Sequence, residues 1–192
     1  MTVFFTSDTH FGHANVIKYC NRPFKDVDEM DATLIANWNE RVQPNDTVYH
    51  IGDFSFKDPD LYAGKLNGQK FLVPGNHDKR NLKKLGQYFT ILPGLYEHKF
   101  QLLDYPPGGE WSTQLVVMCH YNMRVWNKSH HGSWHIFGHS HGSLNHIKEL
   151  GRAVDVGVDS NEYRPINFDK LSQIIATKPF VPIDHHTGER DG

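Results

Sequence analysis

Five short polar patterns recur along the chain, and each comes directly after a predicted strand. In chain order they are Asp8-Thr9-His10, Gly52-Asp53, Gly75-Asn76-His77-Asp78, Cys119-His120 and Gly138-His139-Ser140-His141. Carboxylate, imidazole and amide oxygen donors are typical ligands of Mn²⁺, Fe or Zn²⁺ in catalytic sites. Two such cations close together activate a water and clamp phosphoryl oxygens for in-line displacement. The residue types therefore predict a two-metal hydrolytic site.

The patterns differ in how much information they carry. In a chain of this composition Asp-x-His is expected about once by chance, whereas Gly-Asn-His-Asp is expected about 0.006 times. A further Asp-x-His at Asp184-His185-His186 has no strand before it and illustrates the chance rate. The ordered set is the informative observation, because loops at the carboxyl ends of strands build the sites of α/β folds.

Strands and helices alternate in the first half of the chain, and the second half is richer in strands. Hydrophobic patterning predicts strands over 3–7, 47–51 and 69–73 and helices over 28–42, 58–66 and 81–89. It then predicts a hairpin of strands 95–103 and 112–119, strands over 134–137 and 153–158, and a last helix over 168–176. This order indicates a single mixed α/β domain over residues 1–177 with a polar tail over 178–192.

Length and charge narrow the classes of function. The 192 residues suit one domain with a full hydrophobic core. A net charge of −2 argues against a broad electrostatic grip on nucleic acid or anionic lipid. No apolar run approaches a membrane span and no secretory signal is visible, so we expect a cytoplasmic protein without a membrane partner.

In their order, the five patterns resemble the signature of the calcineurin-like metallophosphoesterase superfamily, which has the form D-x-H, GD, GNH[DE], H and GHxH. The resemblance covers residues 8–141 and implies that superfamily's α/β fold, a four-layer sandwich of two mixed β-sheets flanked by helices. It implies one metal held by Asp8, His10, Asp53 and His141, and a second held by Asp53, Asn76, His120 and His139. It also implies that His77 acts beside the metals and that Asp78 orients it.

Four further residues are candidate substrate contacts. His13 lies in the first loop, where it can reach a substrate phosphate or serve as a hydrogen-bonded loop residue. Arg80 belongs to a stretch that resembles the GNHDxR motif of some bacterial phosphodiesterases of the superfamily. Arg124 and Trp126 follow His120 and can form a wall of the site, with simple loop packing as the alternative.

The sequence thus predicts a dinuclear phosphoesterase that hydrolyses a phosphodiester or phosphomonoester by attack of a metal-bridging hydroxide, with a small nucleotide-like substrate favoured. We expect two divalent metal ions, Mn²⁺ in preference to Fe, Zn²⁺ or Ni²⁺. The alternatives are a metal-binding scaffold of the same fold without catalysis and a nucleic-acid phosphodiesterase. The stretch from Thr9 to Ile17 resembles compact bacterial and phage members of the superfamily, whose substrates are poorly defined.

Overall fold

The structure, a computed structural model, describes residues 1–101 and 113–180. In chain order its strands are β1 (Val3–Thr6), β2 (Thr47–His50), β3 (Gln69–Leu72), β4 (Thr90–Ile91), β5 (Leu95–Gln101), β6 (Thr113–Cys119), β7 (Trp134–Phe137), β8 (Ala153–Asp155) and β9 (Ile166–Asn167). The α-helices are α1 (Ala14–Tyr19), α2 (Val27–Arg41), α3 (Leu82–Leu85) and α4 (Phe168–Ala176). Short 3₁₀ turns occur at Pro59–Leu61, Ala63–Lys65, Lys79–Asn81, Ser129–His131, Lys148–Leu150 and Val158–Ser160.

The strands form two mixed sheets with flanking helices, which confirms the predicted fold class. The first sheet has the order β4-β3-β2-β1-β9, in which β9 alone is antiparallel to its neighbour. The second has the order β5-β6-β7-β8, in which only the predicted hairpin of β5 and β6 is antiparallel. In the first sheet Thr6 pairs with His50, and His50 pairs with Leu72. Three strands therefore end level with one another, and their loops emerge at one edge.

Apolar side chains form two layers, one on each face of the first sheet. Phe4 and Phe5 point to opposite faces, as successive residues of a strand must. Phe4 belongs to a cluster that contains Met30, Leu34 and Trp38 of α2. Phe5 belongs to the cluster between the sheets, with side chains such as Tyr49, Val116, Trp134, Ile136 and Leu171. Each large buried side chain contributes about 1.5–3 kcal/mol to folding, so the two layers hold the strand ends in a fixed register.

Some local predictions were wrong. The predicted helix 58–66 is two 3₁₀ turns that break at Tyr62, and Gly64 in the second turn disfavours a continuous helix. The predicted helix 81–89 is limited to α3, after which Phe89 is buried in the core and the chain enters β4. Strand β8 ends at Asp155 rather than at residue 158. The prediction also missed α1, β4 and β9, which are too short to show a hydrophobic period.

Two expectations concern residues outside the described ranges. The predicted hairpin turn at 104–109 lies there, as does the predicted tail beyond residue 180. The single domain over 1–177 stays a prediction. Within 1–101 and 113–180, no helix combines the length and the apolar character needed to cross a membrane.

Candidate metal centre

The five patterns meet at the edge where strands of both sheets end. Asp8 follows β1, Asp53 follows β2 and His120 follows β6. Backbone hydrogen bonds join the loops: the Asp8 N–H donates to the Gly52 carbonyl at 3.0 Å, and the Gly138 N–H donates to the His120 carbonyl at 3.0 Å. Loops from different strands are therefore tied into one platform.

Among the described residues, three groups of three side chains bring their ligand atoms within 4.8 Å of one another, and two of these groups consist of candidate ligands. The first is Asp8, His10 and His141, and the second is Asp53, His120 and His139. Oδ2 of Asp53 lies 3.4 Å from Nε2 of His120 and 3.6 Å from Nε2 of His10. One carboxylate oxygen thus faces both groups, which is the position that a bridging ligand requires.

Buried polar atoms at these groups are left without partners. Within the described residues, Oδ1 of Asp8, both ring nitrogens of His10 and Nε2 of His120 accept or donate no hydrogen bond. Leaving such an atom unsatisfied costs about 1–3 kcal/mol, so native structures rarely do it without a reason. Nε2 of His10 lies 3.8 Å from Oδ1 of Asp8 and 3.6 Å from Oδ2 of Asp53, so a divalent cation among these atoms would give them a partner. The donor set therefore fits the two expected metal ions.

The charges of these side chains are adjusted by burial and by one another. Burial raises the pKa of Asp8 to about 7 and lowers the pKa of His10 to about 2. Burial also lowers the pKa of His120, but the Asp53 carboxylate outweighs it and raises that pKa to about 9. Burial would raise the pKa of Asp53, yet that pKa falls below the ordinary range because the nearby His120 imidazole and the backbone N–H of His77 stabilise the carboxylate. Metal binding must therefore displace protons.

Five of the candidate ligands have left-handed backbone conformations. Their φ angles lie between 46° and 63°, in Asp8, His10, Asp53, His139 and His141. This conformation costs an L-residue on the order of 1–2 kcal/mol. Residues held in such conformations concentrate at functional sites, where the surrounding structure forces them. The fold therefore holds these five residues in an unfavourable backbone conformation that brings their side chains together.

Two glycines of the patterns allow the loops to approach the carboxylates. A Cβ on Gly75 would lie 2.2 Å from Oδ1 of Asp53, and a Cβ on Gly138 would lie 2.4 Å from Oδ2 of Asp8. Neither neighbour is a flexible side-chain end that can move away without disturbing the centre. Both positions therefore require glycine.

The contacts of Asp78 add a second role to the expected one. Its buried carboxylate accepts hydrogen bonds from the backbone N–H groups of Asp53, Phe54 and Gly75 at 2.8, 2.9 and 2.8 Å. Those bonds hold the loop after β2 against the loop after β3. Asp78 thus supports Asp53, and its role in orienting His77 stays a prediction.

His77 stands at the open side of the centre. The backbone N–H of His77 donates to Oδ1 of Asp53 at 2.9 Å, and the ring atom Nε2 of His77 lies 3.9 Å from Oδ2 of Asp53. The side chain is 39% exposed, in contrast to 1% for His120. Asn76, the neighbouring candidate ligand, accepts a hydrogen bond from the Tyr121 hydroxyl at 3.3 Å.

Sequence reasoning missed Asp159 and Arg22. Nδ1 of His141 donates to Oδ2 of Asp159 at 2.6 Å. The Arg22 guanidinium donates to both oxygens of Asp159 at 2.8 and 2.7 Å and to the Asp8 carbonyl at 2.7 Å. A signal for Asp159 existed, since it stands just beyond the predicted strand 153–158, the position that the five patterns share.

The four predicted substrate contacts separate into two pairs. His13 lines a cavity beside the centre together with Phe56, on whose ring the His13 ring stacks. Arg80 donates a hydrogen bond to the Phe56 carbonyl at 3.0 Å. Arg124 instead donates to the Glu149 carbonyl, and Nε1 of Trp126 donates to Oγ of Ser133 at 3.0 Å. These bonds favour the packing alternative for both side chains, and their role as substrate contacts stays a prediction.

Comparisons with known proteins agree with this geometry. The family described as calcineurin-like phosphoesterase matches residues 1–160. An uncharacterized protein of Methanocaldococcus jannaschii is 33% identical over 184 residues, which cover 90% of each chain. The Gene 66 protein of Mycobacterium phage L5 is 29% identical, covering 81% of this chain and 86% of the phage protein. The crystal structure of an Aquifex aeolicus protein of unknown function shares the fold, with a TM-score of 0.67, 24% identity and coverage of 91% of this chain and 99% of that one.

Proposed function

The chain belongs to the calcineurin-like phosphoesterase family, and on that premise we propose that it hydrolyses a phosphoester with two divalent metal ions. One observation carries the proposal: Oδ2 of Asp53 lies within 3.9 Å of Nε2 of three histidines from three loops, His10, His77 and His120. The family accounts for phosphoester chemistry, and this convergence supports two metals that share Asp53.

In this proposal the first metal is held by Asp8, His10, Asp53 and His141, and the second by Asp53, Asn76, His120 and His139. When bound, the pair supplies Lewis acidity that lowers the pKa of a water and offsets the charge of the phosphoryl group. The carboxylate and amide oxygens suit Mn²⁺ and the imidazoles suit Fe, Zn²⁺ or Ni²⁺, and of these ions we propose Mn²⁺ first. The two aspartates neutralise only half of the four positive charges, which leaves the site attractive to a phosphate.

His77 has the position of a proton donor to the leaving group. It belongs to neither group of three ligands, and its side chain is partly exposed in the cavity that His10 and His141 also line. Its backbone N–H is anchored on Asp53, so the ring is held beside the place where a phosphoester would meet the metals. An imidazole there can bond a phosphoryl oxygen or protonate the departing oxygen.

A small substrate fits the site better than a nucleic acid. The cavity beside the centre has a volume of about 950 Å³, which is in the range of small-molecule sites. The net charge of −2 provides no general attraction for a polyanion. We therefore place a small phosphodiester or phosphomonoester first and a nucleic-acid phosphodiesterase second.

Reconstitution of the metal-free protein tests this proposal. Chelator-stripped protein is assayed with bis(p-nitrophenyl) phosphate and p-nitrophenyl phosphate, before and after addition of Mn²⁺. We expect Mn²⁺ to restore release of nitrophenol in the wild type and in the control Asp60→Asn, which alters an exposed carboxylate beside Lys84. We expect no restoration in Asp53→Asn. Metal binding without turnover of either ester would instead support the scaffold alternative.

A further inference from the structure

The cavity beside the metal centre has two ends of different chemistry. Candidate metal residues and His77 line one end. The other end is lined by Val16, Tyr19, Phe56 and His13. A phosphoester that enters therefore meets charged ligands on one side and flat apolar surface on the other.

Three side chains of the apolar end carry rings, and we call them the aromatic wall: His13, Tyr19 and Phe56. The rings of His13 and Phe56 stack with centroids 4.3 Å apart and planes 10° apart. The Tyr19 ring stands nearly perpendicular to His13, at 6.2 Å and 76°. Tyr19 is 75% exposed and Phe56 is 41% exposed. Exposed rings that line a cavity mark a binding surface.

Phe56 is held in place from behind by Arg80. The guanidinium lies 4.9 Å from the centre of the Phe56 ring and donates to the Phe56 carbonyl at 3.0 Å. The Phe56 N–H in turn donates to the Phe11 carbonyl at 2.9 Å. With Arg80 behind it and the His13 ring in front of it, the Phe56 ring is fixed and in turn supports His13, so the rings left for a ligand to stack on are His13 and Tyr19. Arg80 thus positions the wall.

The aromatic wall lies within reach of the reacting end. The Phe56 ring is 6.2 Å from the His77 ring, and the His13 ring is 6.5 Å from it. A group esterified to a phosphate beside His77 is therefore next to the wall without any movement of the chain.

We propose that the aromatic wall binds a planar ring carried by the phosphoester, either the base of a nucleoside or an aryl group, and that it thereby selects the substrate. This inference rests on the proposed function, because the metals place the phosphate at the other end of the cavity. A base stacked on an aromatic side chain changes affinity by roughly five- to 150-fold in other proteins. We expect a preference of that size here.

Calorimetric titration of the Mn²⁺-loaded protein tests the inference, and every variant carries His77→Ala so that the ligands bind without being hydrolysed. Adenosine 5′-monophosphate and ribose 5-phosphate share the phosphate and the sugar and differ in the base. We expect the otherwise wild-type protein to bind the first at least about fivefold more tightly, and Phe56→Leu, which removes the ring that supports His13, to bring the ratio of the two Kd values toward one. Phe56→Tyr keeps a ring at the same place and should keep the preference.

Phe180→Leu is the matched control. Phe180 is also about half exposed and also lies under an arginine, Arg152, at 5.2 Å, but it does not line this cavity. Its replacement should leave the ratio as in the otherwise wild-type protein. Equal Kd values in the otherwise wild-type protein, or a ratio that Phe56→Leu does not change, would overturn the inference.

Two further results separate the ring types and the two proposals. Phenyl phosphate that binds as tightly as adenosine 5′-monophosphate assigns the wall to aryl groups, and weaker binding assigns it to nucleosides. A base preference without Mn²⁺-dependent turnover in the wild type would keep the wall and overturn the proposed function. Hydrolysis of nitrophenyl esters by the wild type without the preference would do the reverse.

Discussion

The imidazole of His141 donates its Nδ1 proton to Oδ2 of Asp159 at 2.6 Å, and Arg22 holds the same carboxylate with two hydrogen bonds. Burial would raise the pKa of Asp159, but His141 and Arg22 bring it below its ordinary range, so the carboxylate stays ionised. This pairing leaves Nε2 of His141 as the ligand atom and fixes the orientation of the ring. It also joins the loop after β7 to the loop after β1, since Arg22 donates to the Asp8 carbonyl.

Asp159→Asn should therefore weaken Mn²⁺ binding by about 10- to 100-fold, the usual effect of losing a carboxylate behind a ligating histidine. The affinity is measured by titration of the metal-free protein. Asp169→Asn, an exposed carboxylate at the start of α4, is the control and should bind as the wild type does. Wild-type affinity in Asp159→Asn would show that the pairing does not support the centre.

His77→Ala should lower turnover by at least about 100-fold while metal binding stays close to that of the wild type. The reason is its position outside both groups of ligands and at the open side of the centre. Turnover and Mn²⁺ stoichiometry are measured on the same preparation. His146→Ala, an exposed histidine, controls for loss of a surface imidazole. Full activity in His77→Ala would contradict its proposed role.

Asp78→Ala should destabilise the metal-free protein by about 2–5 kcal/mol, because three buried backbone N–H groups lose their acceptor. The free energy of unfolding is measured with denaturant. Asp58→Ala removes an exposed carboxylate that binds Lys84 and the Asp60 N–H, and it should cost much less than Asp78→Ala. If Asp78→Ala lowers the free energy of unfolding no more than the control does, the hydrogen bonds of Asp78 do not stabilise the fold.

Mn²⁺ affinity should rise with pH between 6 and 8. In the metal-free protein the pKa of Asp8 is about 7 and that of His120 is about 9, so both groups carry protons at pH 6 that the metal must displace. Each displaced proton makes the apparent Kd fall by about tenfold per pH unit. Titrations in buffers of equal ionic strength give the slope. A Kd independent of pH would mean that these ligands are already deprotonated, or that the metal binds elsewhere.

The patterns predict the location of the centre because parallel strands place their carboxyl ends at one edge. Asp8, Asp53 and His77 each follow a strand of the first sheet, so their meeting follows from topology alone. Six of the seven candidate ligands, all except Asn76, are accordingly brought together in the two groups. Their roles as ligands stay a prediction.

Other features depend on contacts that no local pattern reveals. Arg22 and Asp159 are separated by 137 residues, and only the packed fold shows that they pair. The acceptor role of Asp78 depends on the directions of backbone N–H groups, which residue types do not specify. Phe56 belongs to a wall because its ring is exposed in a cavity, whereas apolar loop residues are more often buried in packing.

Anomalous diffraction from a crystal grown with Mn²⁺ would show whether two metal ions share Asp53. We expect two anomalous peaks about 3.5–4 Å apart, one near Asp8 and the other near His120, with the Asp53 carboxylate between them. A single peak, or two peaks that do not both contact Asp53, would contradict a shared carboxylate.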